Sequence, residues 1–458
     1  MTLGAEGGES DFSFVDYIRI SYWHSFVADD DALRLTANGK RQVTIAGFTS
    51  NSVRVLDITN PAAVQELTPQ VAQQGGGFAV KVTPASDGPR TVLALADNRA
   101  KSPDAISQNQ PSNWGGKNKG ADWLVITHKD FAASLAPLVA LRQAQGLSVA
   151  VADAEDIFDE FSFGEKSPQA IRDFLAFART NWKKPPRFVL LVGNASRDPK
   201  NYLGFGNLDF LPTRIIDTAS METASDDWFV DFDSDGLAEI PVGRLPVRTA
   251  EQASAMVSKI IGYEQASPLD EALLYADANS DFDFEAASAQ LAALLPDTIR
   301  AEQINRGQTD AATARSLLLE AIRRGMKVVN YTGHGSQTIW KDFVLTSDDA
   351  DNLGNDGLPL FVMMTCLNGY FLDPGAYSLA ESLMKADRGG AIAVWASSGI
   401  TAPNEQALMN QQLFRLLLSG VGQSITLGEA TAGAKAVIND PDVRRTWILF
   451  GDLMTRLK

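Results

Sequence analysis

Two kinds of hydrophobic patterning divide the 458-residue chain. Up to about residue 98, short runs alternate apolar and polar positions: Tyr17–Trp23, Arg41–Ala46, Val53–Asp57, Gly77–Thr83 and Arg90–Ala96. Asn38-Gly39, Asn60-Pro61 and Asp87-Gly88-Pro89 punctuate them as turns. Strand side chains point alternately to opposite faces, so this spacing predicts a small all-β domain over 1–98. Residues 99–121 are rich in Lys, Ser, Asn, Gln, Pro and Gly and read as a linker.

From 122 onward continuously apolar runs alternate with helical stretches. The strand candidates are Trp123–Thr127, Val149–Asp153, Phe188–Val192, Leu273–Asp277, Val328–Tyr331, Leu360–Thr365 and Ala391–Ala396. Between them, Phe284–Leu295 carries apolar residues at helical spacing, and Asp310–Arg324 runs to a capping Gly325. Strands buried on both faces and joined by helices predict a mostly parallel α/β sheet.

Composition narrows the function classes. A 45% hydrophobic, 21% charged chain has ample core, and no apolar run is long enough to span a bilayer. The formal net charge of −16 disfavours nucleic acid and anionic membrane as partners. The first residues lack the basic stretch and apolar run of a signal peptide. A single cysteine excludes an intrachain disulfide and a thiolate-rich zinc site.

That cysteine, Cys366, ends the strand candidate Leu360–Thr365. One of only three histidines, His334, follows the preceding strand candidate in the run Thr332-Gly333-His334-Gly335-Ser336. Neighbouring parallel strands present their C-terminal ends on one edge of a sheet, where sites are built. An imidazole can take the proton of a thiol and return it to a leaving amine. The flanking glycines let a substrate carbonyl approach, with the N–H of Gly335 and that of Cys366 as oxyanion donors.

The blocks Asn330-Tyr-Thr-Gly-His-Gly-Ser336 with Trp340, and Cys366-Leu-Asn-Gly-Tyr-Phe371, resemble the catalytic segments of the gingipain family of cysteine peptidases. Leu190–Asn194, Glu239–Leu245 and Thr446–Asp452 add to the likeness, which covers about 122–458. The resemblance implies a caspase-like α/β fold in two subdomains, 122–268 and 269–458, the second carrying the His334/Cys366 dyad. It implies cleavage of a protein or peptide substrate through a thioester on Cys366, and a secreted or cell-surface setting. It further implies a carboxylate behind the histidine, assigned to Asp277, and a specificity pocket formed by Asp281, Met364, Ser397 and Ser398. A transpeptidase with the same dyad and a non-catalytic, calcium-stabilised interaction module are the rival expectations.

One motif stands apart. Asp231, Asp233, Asp235 and Glu239 surround Gly236 with the alternation of a calcium loop. Val242 occupies the position where an EF-hand places its glutamate, so a loop of another kind is expected to hold the ion.

Overall fold

The computed structural model describes residues 20, 22–106, 108–418 and 425–458. Two compact units divide the chain, residues 1–110 and 111–458. In the first, seven strands appear: β1 (Ala32–Asn38), β2 (Val43–Phe48), β3 (Val53–Asp57), β4 (Gln65–Leu67), β5 (Gln70–Gln74), β6 (Gly77–Val82) and β7 (Pro89–Ala96). They form two antiparallel sheets, ordered β1-β7-β3-β4 and β2-β6-β5. Ile45, Val55, Val80 and Val92 are fully buried between them. The expected strand Tyr17–Trp23 lies mostly outside the described residues. Two strands that carry little apolar signal, β4 and β5, are exposed along nearly their whole length.

The second unit is built on one ten-stranded sheet. Its chain contains β8 (Trp123–Thr127), β9 (Val149–Asp153), β10 (Phe188–Val192), β11 (Arg214–Asp217), β12 (Glu222–Ser225), β13 (Val242–Leu245) and β14 (Glu271–Ala276). There follow β15 (Arg300–Asn305), β16 (Val328–Thr332), β17 (Gly335–Ser336), β18 (Ile339–Trp340), β19 (Leu360–Met364), β20 (Ala393–Ser397) and β21 (Trp447–Phe450). The sheet order is β15-β14-β16-β19-β20-β21-β13-β10-β8-β9, while β11–β12 and β17–β18 are separate hairpins. Helices cover both faces. Trp123, Val125, Leu190 and Val192 enter one apolar core, and the intervening Leu124, Ile126, Val189 and Leu191 enter the other. The fold is therefore α/β with a mostly parallel sheet, preceded in the sequence by small antiparallel sheets.

A single reversal sets the geometry that matters. All neighbouring strands are parallel except β20 and β21, which run antiparallel with Ser397 opposite Trp447. β21 in turn pairs in parallel with β13 through Arg244 and Phe450. The start of β21 thus lies at the edge where β16, β19 and β20 end. It delivers the helix Pro441–Thr446 to that edge.

Candidate active site

β16 and β19 are adjacent and parallel, with Thr332 opposite Met364, so the residues that follow each strand emerge side by side. His334 comes from the first and Cys366 from the second. Both line one open cavity of about 480 Å³.

The histidine is fixed first through its backbone. Its N–H points to Asp277 Oδ2 at 3.3 Å, and its carbonyl accepts from Tyr331 Oη at 2.5 Å and from Lys341 N–H at 2.9 Å. Tyr331 is buried and stacks on Trp340, their ring centroids 4.1 Å apart. The glycines on either side answer to crowding. A Cβ at Gly333 would lie 2.5 Å from Asp277 Cβ, and one at Gly335 would lie 2.8 Å from Thr365 Oγ1. Gly335 pairs with Trp340 in the β17–β18 hairpin, but Trp340 N–H goes to Leu345 O and Lys341 N–H to His334 O. Gly335 therefore occupies a non-hydrogen-bonded position of the pair, which leaves its N–H available to a ligand.

The imidazole is held by the loop after β14. Ser280 Oγ lies 3.0 Å from His334 Nε2 and donates to Asp281 Oδ1 at 2.8 Å. Asp281 itself is 3.8 Å from Nε2. The Phe284 ring meets the imidazole edge-on at 5.2 Å.

Cys366 is half-buried, with its Sγ 3.7 Å from Thr401 O. Burial pushes its thiol pKa up, which the Thr401 contact partly offsets. Its backbone N–H makes no hydrogen bond to another described residue. The turn is tight: Leu367 has a left-handed φ of +62°, with Leu367 N–H bonded to Gly399 O and Gly369 N–H to Ser397 O. Buried Asn368 ties this turn to the β17–β18 hairpin through Ser336 O and Ile339 O.

Three further walls complete the cavity: Asp281 and Phe284, the stretch Ile400–Pro403 with Gln406, and Ala219, Ser220, Asp440 and Asp442. Ala219 and Ser220 are the tip of the β11–β12 hairpin. Asp442 accepts the Ala219 N–H at 2.8 Å, and Arg445 reaches Asp217 O at 3.2 Å, so the helix Pro441–Thr446 grips the hairpin.

The expected site residues fall into three groups. His334, Cys366 and Asp281 face the cavity together. Asp277 is buried beneath them and serves the backbone N–H of His334, where the resemblance had it orienting the ring. Met364, Ser397 and Ser398 need correction as pocket walls, because all three are fully buried. Met364 packs within β19, Ser397 Oγ donates to Gly399 O, and Ser398 Oγ donates to Ala224 O. Ser280, Ala219, Thr401, Asp440 and Asp442 were not foreseen. Only the antiparallel entry of β21 brings the last two to the site, and a four-residue strand leaves little trace in a sequence.

The acidic loop is assembled as well. Carboxylate oxygens of Asp231, Asp233, Asp235 and Glu239 lie within 4.8 Å of one another. Asp231 accepts the N–H groups of Asp235 and Gly236, Asp233 that of Asp235, Asp235 that of Leu237, and Glu239 that of Phe232. Ser234 and Gly236 adopt positive φ, which turns the four groups inward. Oxygen-only donors of this kind fit a hard divalent cation.

Comparison with known proteins follows the same lines. The family model of peptidase family C25 matches residues 117–458. Gingipain R2 of Porphyromonas gingivalis is 25% identical over 288 residues, 58% of this chain and 35% of that protein. Gingipain R1 of the same organism is 25% identical over 288 residues, 58% of this chain and 26% of that protein. The chain thus spans about a third or less of the length of these curated relatives. The crystal structure of the Arg-specific cysteine proteinase gingipain R superposes with a TM-score of 0.62 at 22% identity, over 76% of this chain and 80% of that one. Dimeric latent PorU from P. gingivalis gives 0.54 at 17% identity, over 94% of this chain and 39% of that one. These structures share the fold, and with the family match over three quarters of its length the chain belongs to peptidase family C25.

Proposed function

We propose that this chain is a cysteine endopeptidase in which Cys366 is the nucleophile and His334 the general acid and base. The observation that carries the reading is the emergence of both side chains from adjacent parallel strands into one open cavity. The Cys366 proton passes to the imidazole, and the sulfur attacks the carbonyl carbon of the scissile bond. The N–H groups of Gly335 and Cys366 receive the oxyanion. The imidazolium then protonates the leaving amine, and water resolves the thioester with the imidazole as base. Asp277 holds the His334 backbone in place for both steps.

Among the described residues the cavity lining bears Asp281, Asp440 and Asp442 without a lysine or arginine. Asp442 is paired with Arg445 behind it at 2.8 Å, so Asp281 and Asp440 carry the charge left to a substrate. That charge supports a substrate with a cationic side chain near the scissile bond. The rival reading of a non-catalytic module finds no support, because the thiol borders an open cavity rather than sealed core. The carboxylates Asp231, Asp233, Asp235 and Glu239 would hold calcium, whose role there is to brace the loop between β12 and β13. A secreted or cell-surface location is our reading from the family resemblance. No helix among the described residues is long and apolar enough to cross a membrane.

Cleavage-site profiling of a peptide library, with an amine acceptor present, tests the proposal. Fragments with free carboxylates are expected, with basic residues enriched at the cleavage sites and no turnover by Cys366→Ala. Cleavage that survives in Cys366→Ala would overturn it, and amine-capped fragments would convert the enzyme into a transpeptidase.

A further inference from the structure

We propose that Ser280 is a positioning residue that couples Asp281 to the imidazole of His334 and selects its tautomer. The inference deepens the peptidase reading and takes its functional meaning from it, but its geometry stands by itself. A carboxylate accepts hydrogen bonds and cannot donate them, so the 2.8 Å contact from Ser280 Oγ to Asp281 Oδ1 uses the one proton the hydroxyl has. The Ser280 oxygen then meets His334 Nε2 at 3.0 Å as an acceptor. Nε2 must carry a hydrogen, and Nδ1 keeps the lone pair. Asp281 is held ionised by the Ser280 hydroxyl, which lowers its pKa together with the nearby imidazole. The Phe284 ring, edge-on at 5.2 Å, restrains the plane of the imidazole.

Proton movements follow from this arrangement. The Cys366 proton goes to Nδ1, giving an imidazolium whose Nε2–H remains bonded to Ser280. That same Nδ1 proton later leaves with the amine. Ser280 and Asp281 gain and lose no proton. Asp277 serves the backbone N–H of His334, and its own nearby cation, Lys341 Nζ at 3.6 Å, balances it. The other charged groups on the cavity wall, Asp440 and Asp442, belong to the far element that carries the helix Pro441–Thr446. The hydroxyl-bridged pair is thus the contact made to the ring nitrogen itself among the described residues. This differs from a histidine oriented by direct carboxylate contact, and no motif in the sequence announces it.

The test is ¹⁵N-histidine NMR across a pH titration, which three histidines make tractable, with His24 and His128 as internal references. The wild-type protein should show neutral His334 as the Nε2–H tautomer. Ser280→Ala should mix the tautomers, Asp281→Asn should mix them in the same sense, and Ser280→Thr should restore the Nε2–H form. In peptide turnover, Ser280→Ala should reduce kcat on the order of tenfold with KM little changed. A tautomer left unaltered in Ser280→Ala would overturn the proposal, as would a mixture of tautomers in Ser280→Thr. Absence of peptide cleavage by a wild-type protein with the Nε2–H tautomer would instead strike only the peptidase reading.

Discussion

At the scale of single residues, the Gly-His-Gly run shows how sequence and chemistry are joined. Gly333 is needed because a Cβ there would lie 2.5 Å from Asp277 Cβ and 2.7 Å from Tyr331 Oη. Both neighbours are buried and cannot give way. Gly333→Ala should therefore cost about 1–3 kcal/mol of stability, the usual range for overpacking a filled core. It should also displace His334 and slow alkylation of Cys366 by iodoacetamide. Gly262→Ala, in the helix Ala250–Gln265 where an added Cβ meets nothing within 4 Å, is the control. That change should stabilise by about 0.5–1 kcal/mol. Equal melting temperatures for the two variants would refute the crowding argument. His334 and Cys366 were legible in the chain because each ends an apolar run, and the position of a strand end survives small errors of boundary. Ser280 was not legible, since a loop serine acquires its role only from where the loop folds.

At the scale of elements, legibility tracked burial. β8 and β10 match their expected bounds because buried parallel strands are written as unbroken apolar runs, and the half-buried edge strand β9 matches because it too carries a continuous apolar run, Val149-Ala-Val-Ala152. β15 escaped notice because an edge strand can be as polar as Arg300-Ala-Glu-Gln-Ile-Asn305. Ser397 and Ser398 look like loop residues in the sequence, yet a local hydrogen bond to Gly399 and long-range ones to Thr446 and Ala224 hold them in the core. The acidic loop was legible as a pattern of carboxylates. What the pattern lacked was Arg179, whose guanidinium lies 3.5 Å from Glu239 and supplies part of the compensating charge. Four converging carboxylates repel one another, so a divalent cation bound only in the folded state should raise stability by mass action. Adding EDTA should lower the melting temperature, and Asp233→Asn should blunt that response. A melting temperature indifferent to both EDTA and added calcium would remove the ion from the account.

At the scale of the molecule, the helix that follows β13 braces the chain downstream of the nucleophile. Arg248, just before it, reaches the carbonyls of Asp373, Pro374 and Ala376 and pairs with buried Glu381 at 3.0 Å. Gln252 donates to Tyr377 Oη at 3.0 Å. Lys259 caps the helix Leu379–Lys385 by donating to the carbonyls of Leu383, Met384 and Ala386. A cation suits the negative end of a helix, yet burial pushes the Lys259 ammonium down to about 7. The sign of its effect on stability follows directly. Between pH 7 and the ordinary lysine value, the unfolded chain binds a proton at this position that the folded chain has lost. Stability from this group must then rise with pH, by at most about 1.4 kcal/mol per unit. Below pH 7 the charged form is present in both states, and the burial penalty is felt in full. Cys366 acts in the opposite sense at higher pH, since its raised pKa makes the folded state hold the proton longer. The comparison therefore belongs in a Cys366→Ala background, as denaturant unfolding from pH 7 to 9 with and without Lys259→Met. The methionine variant should show a flatter rise across that range. Parallel curves would mean that the three carbonyls keep Lys259 charged throughout, and that burial does not set its titration.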